Sequence, residues 1–286
     1  TCELLGRTEV APEGIELPPF EVVREDKRAF AEMTRKHHHE TNPLNARTLL
    51  QRHGDRVLVH HPPSMPLSEK EMDAAYDLPY LRRPHPRYRE KIPAHEMIKD
   101  SVTIMRGCFG GCTFCSITMH EGRIIQSRSE ASVLREINEM AADPEFKGTV
   151  SDIGGPTANM YRMRCTKPEV EKICKRLSCV SPTICKFLGT DHAPLVDLMK
   201  SSTKVAGVKK VLVASGIRMD LARLSPEYMT ELTKSHVGGR LKVAPEHTSP
   251  KVLALMKKPT HDTFEDFAEK FERENEKAGK KQFIVP

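Results

Sequence analysis

Three cysteines, Cys108, Cys112 and Cys115, fall within eight residues in a C-x3-C-x2-C spacing, on a loop that also carries Gly107, Gly110 and Gly111. Thiolates bind soft metals, and outside oxidising compartments clustered cysteines read as metal or redox sites rather than as a disulfide framework. The glycines let the backbone fold back so that the sulfurs meet at one point. Three sulfurs leave a tetrahedral ion or a cubane cluster one ligand short, and a vacant coordination site is where chemistry takes place.

A second set, Cys165, Cys174, Cys179 and Cys185, places four thiols in 21 residues with spacings of x8, x4 and x5. Four sulfurs complete a closed site, either an auxiliary iron–sulfur cluster or a structural zinc, although the C-x2-C knuckles of common zinc motifs are absent. Buried structural thiols are the other reading. Cys2 has no assigned role.

The elements that must position these sulfurs begin at Ser101. Val102-Thr103-Ile104-Met105 reads as a strand running into the first cysteine loop. Ser127-x-x-Glu130 has the form of a capping box, and Val133, Leu134, Ile137, Met140 and Ala141 recur at helical spacing behind it. Further strands are expected at Thr149–Ile153, Lys209–Gly216, Leu241–Pro245 and Phe283–Val285, with helices at Pro226–Ser235, Pro250–Met256 and Asp262–Lys277. This alternation predicts βαβ units and a parallel sheet, as a barrel or a doubly wound sheet, with ligands at the carboxyl ends of the strands. Cys108, Asp152 to Gly155, Ser215 to Arg218 and Glu246-His247 all fall at that end.

Residues 1–95 are punctuated by proline, which confines long helices to windows such as Phe20–His39 and Ser68–Tyr76, with a short strand at Arg56–Val59. They are expected to form an extended, partly helical extension, the tail of a preceding domain. Residues 96–286 form the core, interrupted by the cysteine-rich insertion at 164–186. His37-His38-His39 and His60-His61 read as solvated polar surface, because neighbouring residues on a helix or strand point different ways.

The chain of 286 residues is 38% apolar and 29% charged, with a formal charge of +6. It has no apolar run long enough to cross a bilayer and no signal-like start, which excludes a membrane partner and points to the cytoplasm. The mild basicity fits phosphates or an anionic cosubstrate without specifying one. Arg82-Arg83 and Arg87-Tyr88-Arg89 leave nucleic acid open as a partner, but no aromatic-studded strand accompanies them to support it. The start on Thr1 and the apolar end at Phe283-Ile284-Val285-Pro286 read as a piece of a longer protein, truncated at its C-terminal end.

Cys108-x3-Cys112-x-Phe114-Cys115 after a first strand resembles the CxxxCxΦC signature of the radical S-adenosylmethionine (SAM) enzymes. Together with Gly154-Gly155-Pro156-Thr157-Ala158-Asn159-Met160-Tyr161 and Ala244-Pro245-Glu246-His247-Thr248, it is similar to the YgiQ family within that superfamily. The resemblance covers nearly the whole chain. It implies a partial (βα)6 TIM-like barrel holding a [4Fe-4S] cluster on Cys108, Cys112 and Cys115, with SAM chelating the open iron. One-electron reduction would cleave SAM to methionine and a 5′-deoxyadenosyl radical that abstracts hydrogen from an unknown substrate. An electron donor such as a flavodoxin or ferredoxin is implied as well.

By position in the same pattern, Gly154 and Gly155 match the stretch whose backbone accepts the SAM amino group. Asp152 stands near the place where many members carry Gly-Gly-Glu. Phe114 occupies the aromatic position of the motif. Ser215 and Arg218 fall where polar groups meet the SAM carboxylate and ribose, with a pairing of Arg218 to Asp220 as the alternative. Glu246-His247 is read as contacting adenine, as an acid–base pair, or as a loop capping the helix that follows. The competing function is a non-catalytic module, with zinc on Cys108, Cys112, Cys115 and His120 and a basic surface facing RNA.

Overall fold

The computed structural model describes residues 1–286. Parallel strands carry the core. Ser101–Thr103 pairs with Asp152–Gly154, Lys210–Val211 with Thr149–Val150, and Arg240–Lys242 with Phe283–Val285, all parallel. Single backbone bonds extend the ladder beyond these short strands, from Ile104 N–H to Gly154 O (2.8 Å), Ile153 N–H to Leu212 O (2.8 Å) and Val213 N–H to His236 O (3.0 Å). The result is an α/β fold whose strands run the same way, so that their carboxyl ends share one side.

One apolar cluster fills the space between strands and helices. Val102, Ile104, Val150, Ile153, Val211 and Leu241 enter it from the strands. Helix Glu130–Ala141 adds Val133, Ile137 and Met140, spaced four and three residues apart on one face. Helix Ala193–Ser202 adds Leu195, Val196, Leu198 and Met199, and helix His261–Ala278 adds Phe267 and Phe271. Truncating a side chain as deeply buried as Leu198 costs on the order of 2–5 kcal/mol.

Most expected elements fall where the patterns place them, with two differences. The cap of helix Glu130–Ala141 lies two residues after the anticipated one: Ser129 accepts from Ser132 N–H, while Ser127 lies in a two-residue strand antiparallel to Met105–Arg106. The helix from Pro226 is regular only to Glu231 and widens to a π-type turn over Leu232–His236.

Residues 1–95 are more ordered than their prolines imply. Cys2–Leu5, Arg56–His60, Leu49–His53 and Ile15–Glu16 form a four-stranded mixed sheet in that spatial order, flanked by helices Phe20–Glu25 and Lys27–His39. Helix Glu69–Tyr76 starts on a complete Ser68–Glu71 capping box. Two of the places where this unit docks on the core involve buried side chains. The Arg128 guanidinium, fully buried, lies 4.1 Å from the centre of the Tyr76 ring while bonding to Thr103 O, Ser132 and Glu136. The second is Asn42, whose side chain donates to Glu171 O (2.9 Å) and Cys174 O (3.0 Å) inside the cysteine-rich segment.

Candidate functional site

The loop after Met105–Arg106 is held from three directions. Cys108 N–H donates to Gly122 O (3.0 Å), and Thr118 Oγ1 returns a bond to Cys108 O (2.9 Å). Thr113 reaches the end of helix Pro250–Met256 through Leu255 O (2.7 Å) and Met256 O (3.2 Å). The cysteine-rich segment closes the third side, with Ser178 Oγ donating to Gly110 O (2.6 Å) and Cys179 N–H to Phe109 O (3.0 Å). Gly111 is required there. Its φ is +62°, and a Cβ would sit 2.1 Å from Leu177 O.

Within this frame the Cys108 and Cys112 sulfurs come together beside Gly110. A Cβ added at Gly110 would lie 3.2 Å from Cys108 Sγ, 3.9 Å from Cys112 Sγ and 3.3 Å from Arg218 Nη1. The absent side chain thus leaves a cradle bordered by two thiols and a cation. Burial pushes the Cys108 thiol above its ordinary pKa; the Gly110 N–H and the Arg218 charge work against that rise, and Cys112 and Cys115 are near enough to add to it. Three thiols with no fourth cysteine in the loop match the donor set of an iron–sulfur cluster with one open corner. His120 lines a cleft of about 390 Å³ together with His37 and His60, and none of the three cysteines borders it.

Arg218 is almost fully buried. Its Nε and Nη2 form a bidentate pair with Asp220 (2.9 and 2.6 Å), and its Nη1 points at Cys112 Sγ, 3.8 Å away. Burial opposes the charge, but Asp220 more than offsets it, so the guanidinium stays above the usual arginine pKa. Both readings of Arg218 meet here, since it pairs with Asp220 in the interior and still presents one nitrogen to the thiols.

Asn159 clamps the Arg218 backbone, accepting from Arg218 N–H (2.7 Å) and donating to Arg218 O (3.0 Å). Its amide also donates to His192 Nε2 (3.3 Å), and His192 Nδ1 donates to Thr190 O (3.0 Å), which fixes the neutral tautomer. Asn159 enters the sequence reading only as part of the Gly154–Tyr161 motif, with no role assigned, and His192 is absent from it.

Asp152 faces the same end, accepting from Ala214 N–H (2.7 Å) and Ser215 N–H (3.1 Å) and so bridging two strand ends. Gly154 and Gly155 are packed tightly. A Cβ at Gly154 would meet Ser215 Oγ at 1.9 Å, and one at Gly155 would meet Met105 O at 2.5 Å. Phe114 is 55% exposed, an uncommon setting for a phenyl ring beside half-buried thiols. His247 Nδ1 accepts from Ser249 N–H (2.8 Å) at the start of the next helix, and Glu246 pairs with Lys258 (3.4 Å), so both have local partners.

Cys165, Cys174, Cys179 and Cys185 border one small cavity beside the first loop. Of the basic stretch, Arg83 pairs with Asp143 (2.6 Å) and Glu145 (3.0 Å), and Arg82 with Glu136. That leaves less free charge for nucleic acid than the sequence alone implies. The histidines differ from expectation as well: His37 packs against His60 with ring centres 4.7 Å apart, and burial, then mutual repulsion, lowers the pKa of His37. No helix is long and apolar enough to cross a membrane.

The family description "Radical SAM N-terminal" matches residues 2–101, and "Radical SAM superfamily" matches residues 102–285. A UPF0313 protein of Bradyrhizobium diazoefficiens is 57% identical over 274 residues, 95% of this chain and 41% of its own length. UPF0313 proteins of Shewanella oneidensis (55% over 272 residues) and Pseudomonas putida (55% over 274 residues) cover 94% and 95% of the chain. The chain spans 35% and 36% of those two relatives. With the cysteine loop at the carboxyl ends of parallel strands and matches across both halves, the chain belongs to the radical SAM superfamily of enzymes, in its UPF0313 (YgiQ) family.

Proposed function

We propose that Cys108, Cys112 and Cys115 hold a [4Fe-4S] cluster and that SAM occupies its open iron. The observation that carries this reading is the cradle at Gly110, bordered by the Cys108 and Cys112 sulfurs and the Arg218 guanidinium. Held by Cys108, Cys112 and Cys115, such a cluster would supply the electron for reductive cleavage of the SAM sulfonium, the source of a hydrogen-abstracting radical.

The residues of this chain divide the remaining work. Gly154 and Gly155 offer backbone to the SAM amino group, and Asp152 keeps the neighbouring strand end in place. Ser215 and Arg218 face the carboxylate and ribose, and the exposed ring of Phe114 provides an apolar surface beside the cofactor. Arg218 Nη1, one of its guanidinium nitrogens not engaged with Asp220, also offsets the negative charge of thiolates. The parallel strands are read as a partial (βα)6 barrel, with residues 1–95 as an extension, 96–286 as the core and 164–186 as an insertion. A flavodoxin- or ferredoxin-type donor in the cytoplasm supplies the electron, and the substrate is not specified by these residues.

The test is release of 5′-deoxyadenosine from SAM by the anaerobically reconstituted, dithionite-reduced chain. Release by wild type and none by the Cys108→Ala/Cys112→Ala/Cys115→Ala variant is expected. Equal release by both would overturn the assignment.

A further inference from the structure

We infer that Cys165, Cys174, Cys179 and Cys185 bind a second iron–sulfur cluster, fully coordinated by protein thiolates. The four come from separate turns of the chain. Cys165 sits in a lone antiparallel bridge with Leu188, and Cys174 ends the turn after helix Pro168–Glu171 (Cys174 N–H to Glu171 O, 3.2 Å). Cys179 and Cys185 close a loop on themselves (Cys185 N–H to Cys179 O, 2.8 Å). All four border a single cavity of about 40 Å³, none of them in a disulfide.

The size of that cavity separates the possible occupants. Zinc sits about 2.3 Å from each of four thiolates, which leaves no room between the sulfurs even for a water-sized sphere. A site that admits one water needs only ~10–15 Å³, so the observed space is that of several such spheres. An inorganic core of several atoms meets that condition.

The remaining walls suit the charge of a four-thiolate cluster. Arg123 Nη2 is 4.0 Å from Cys179 Sγ, and Arg176 lines the same space, while Val170, Phe187 and Leu188 add apolar lining. Asn42 and Asn45 hold the Cys174 carbonyl from outside (3.0 and 3.2 Å), so the extension braces the cage. The cage also adjoins the first loop through the Cys179 N–H to Phe109 O bond, one residue from Cys108. With no open iron, this cluster stabilises the segment and stores an electron; it does not bind SAM.

Anaerobic reconstitution followed by iron and sulfide counting and Mössbauer spectroscopy tests the inference. Each cubane carries about four irons, so wild type is expected to hold about eight. The Cys108→Ala/Cys112→Ala/Cys115→Ala variant, whose second site is untouched, should keep half the iron and a reduced signal that SAM does not alter. Cys165→Ala/Cys174→Ala/Cys179→Ala/Cys185→Ala should keep the other half and its response to SAM. Iron absent from the first variant while its circular dichroism is unchanged, or zinc in place of iron, overturns the inference. Should either variant fail to fold, the wild-type count and its SAM response decide: a single cubane per chain whose signal changes on adding SAM refutes it. A wild-type cluster that ignores SAM and disappears only in the second variant would sink the SAM reading and leave this one standing.

Discussion

Arg218 Nη1 lies 3.8 Å from Cys112 Sγ while the other edge of the same guanidinium is clamped by Asp220. A buried cation held in this way can balance thiolate charge without being drawn away from it. Removing one partner leaves the other charged and dry, which costs about 3–5 kcal/mol. Arg218→Met and Asp220→Asn are each expected to destabilise the chain by that order, and the double variant by less than the sum of the two. Urea unfolding of all four proteins checks this, and strict additivity would contradict the pairing. In the reconstituted protein, Arg218→Met should also move the cluster's reduction potential to more negative values, read by potentiometric titration.

Gly154 and Gly155 differ in what a methyl group would strike. At Gly155 it meets the Met105 carbonyl, part of a strand that cannot yield; at Gly154 it meets the Ser215 hydroxyl. Both Gly→Ala variants should lose about 1–3 kcal/mol by overpacking. Adding Ser215→Ala should restore most of the loss for Gly154→Ala and none for Gly155→Ala. Thermal unfolding distinguishes the two cases.

His192 titrates in a way that can be read from stability. Burial lowers its pKa from 6.5 to about 4 in the folded chain, with the Thr190 hydrogen bond opposing. The folded protein therefore keeps the ring neutral where the unfolded chain would protonate it. Its contribution is fully present above pH 6.5 and is lost as pH falls toward about 4. The whole loss is about 3 kcal/mol, at 1.36 kcal/mol per pH unit. His192→Gln should flatten that part of the stability profile relative to wild type, measured by urea unfolding between those limits; parallel profiles would contradict it.

Asn42 ties the extension to the cysteine-rich segment through the carbonyls of Glu171 and Cys174, the latter shared with Asn45. Asn42→Ala should cost about 0.5–1.5 kcal/mol per lost hydrogen bond. It should also speed tryptic cleavage at Lys172, Lys175 and Arg176. Unchanged cleavage would show that the segment stands without this brace.

Features carried by local sequence were legible before the fold was seen. The cysteine spacing and its glycines, the Ser68–Glu71 capping box, helix Pro250–Met256 and strand Phe283–Val285 all depend on neighbours in the chain. What escaped depends on distant ones. The sheet of the extension joins Ile15–Glu16 to Leu49–His53 across more than thirty residues, through strands as short as two residues that show no alternation. Helix Ala193–Ser202 was hidden behind the irregular cysteine-rich segment, although Pro194 stands in its first turn. The interior setting of Arg218 and its link through Asn159 to His192 are tertiary facts, since nothing in the order of residues distinguishes a buried arginine from a surface one.

The central claim, an open-iron cluster on Cys108, Cys112 and Cys115, is tested most directly by low-temperature electron paramagnetic resonance of the anaerobically reconstituted, reduced chain with and without SAM. A reduced cubane signal that changes on adding SAM, and that is lost from the Cys108→Ala/Cys112→Ala/Cys115→Ala variant, is the predicted result. A signal indifferent to SAM, or one that survives in that variant with its SAM response intact, would contradict it.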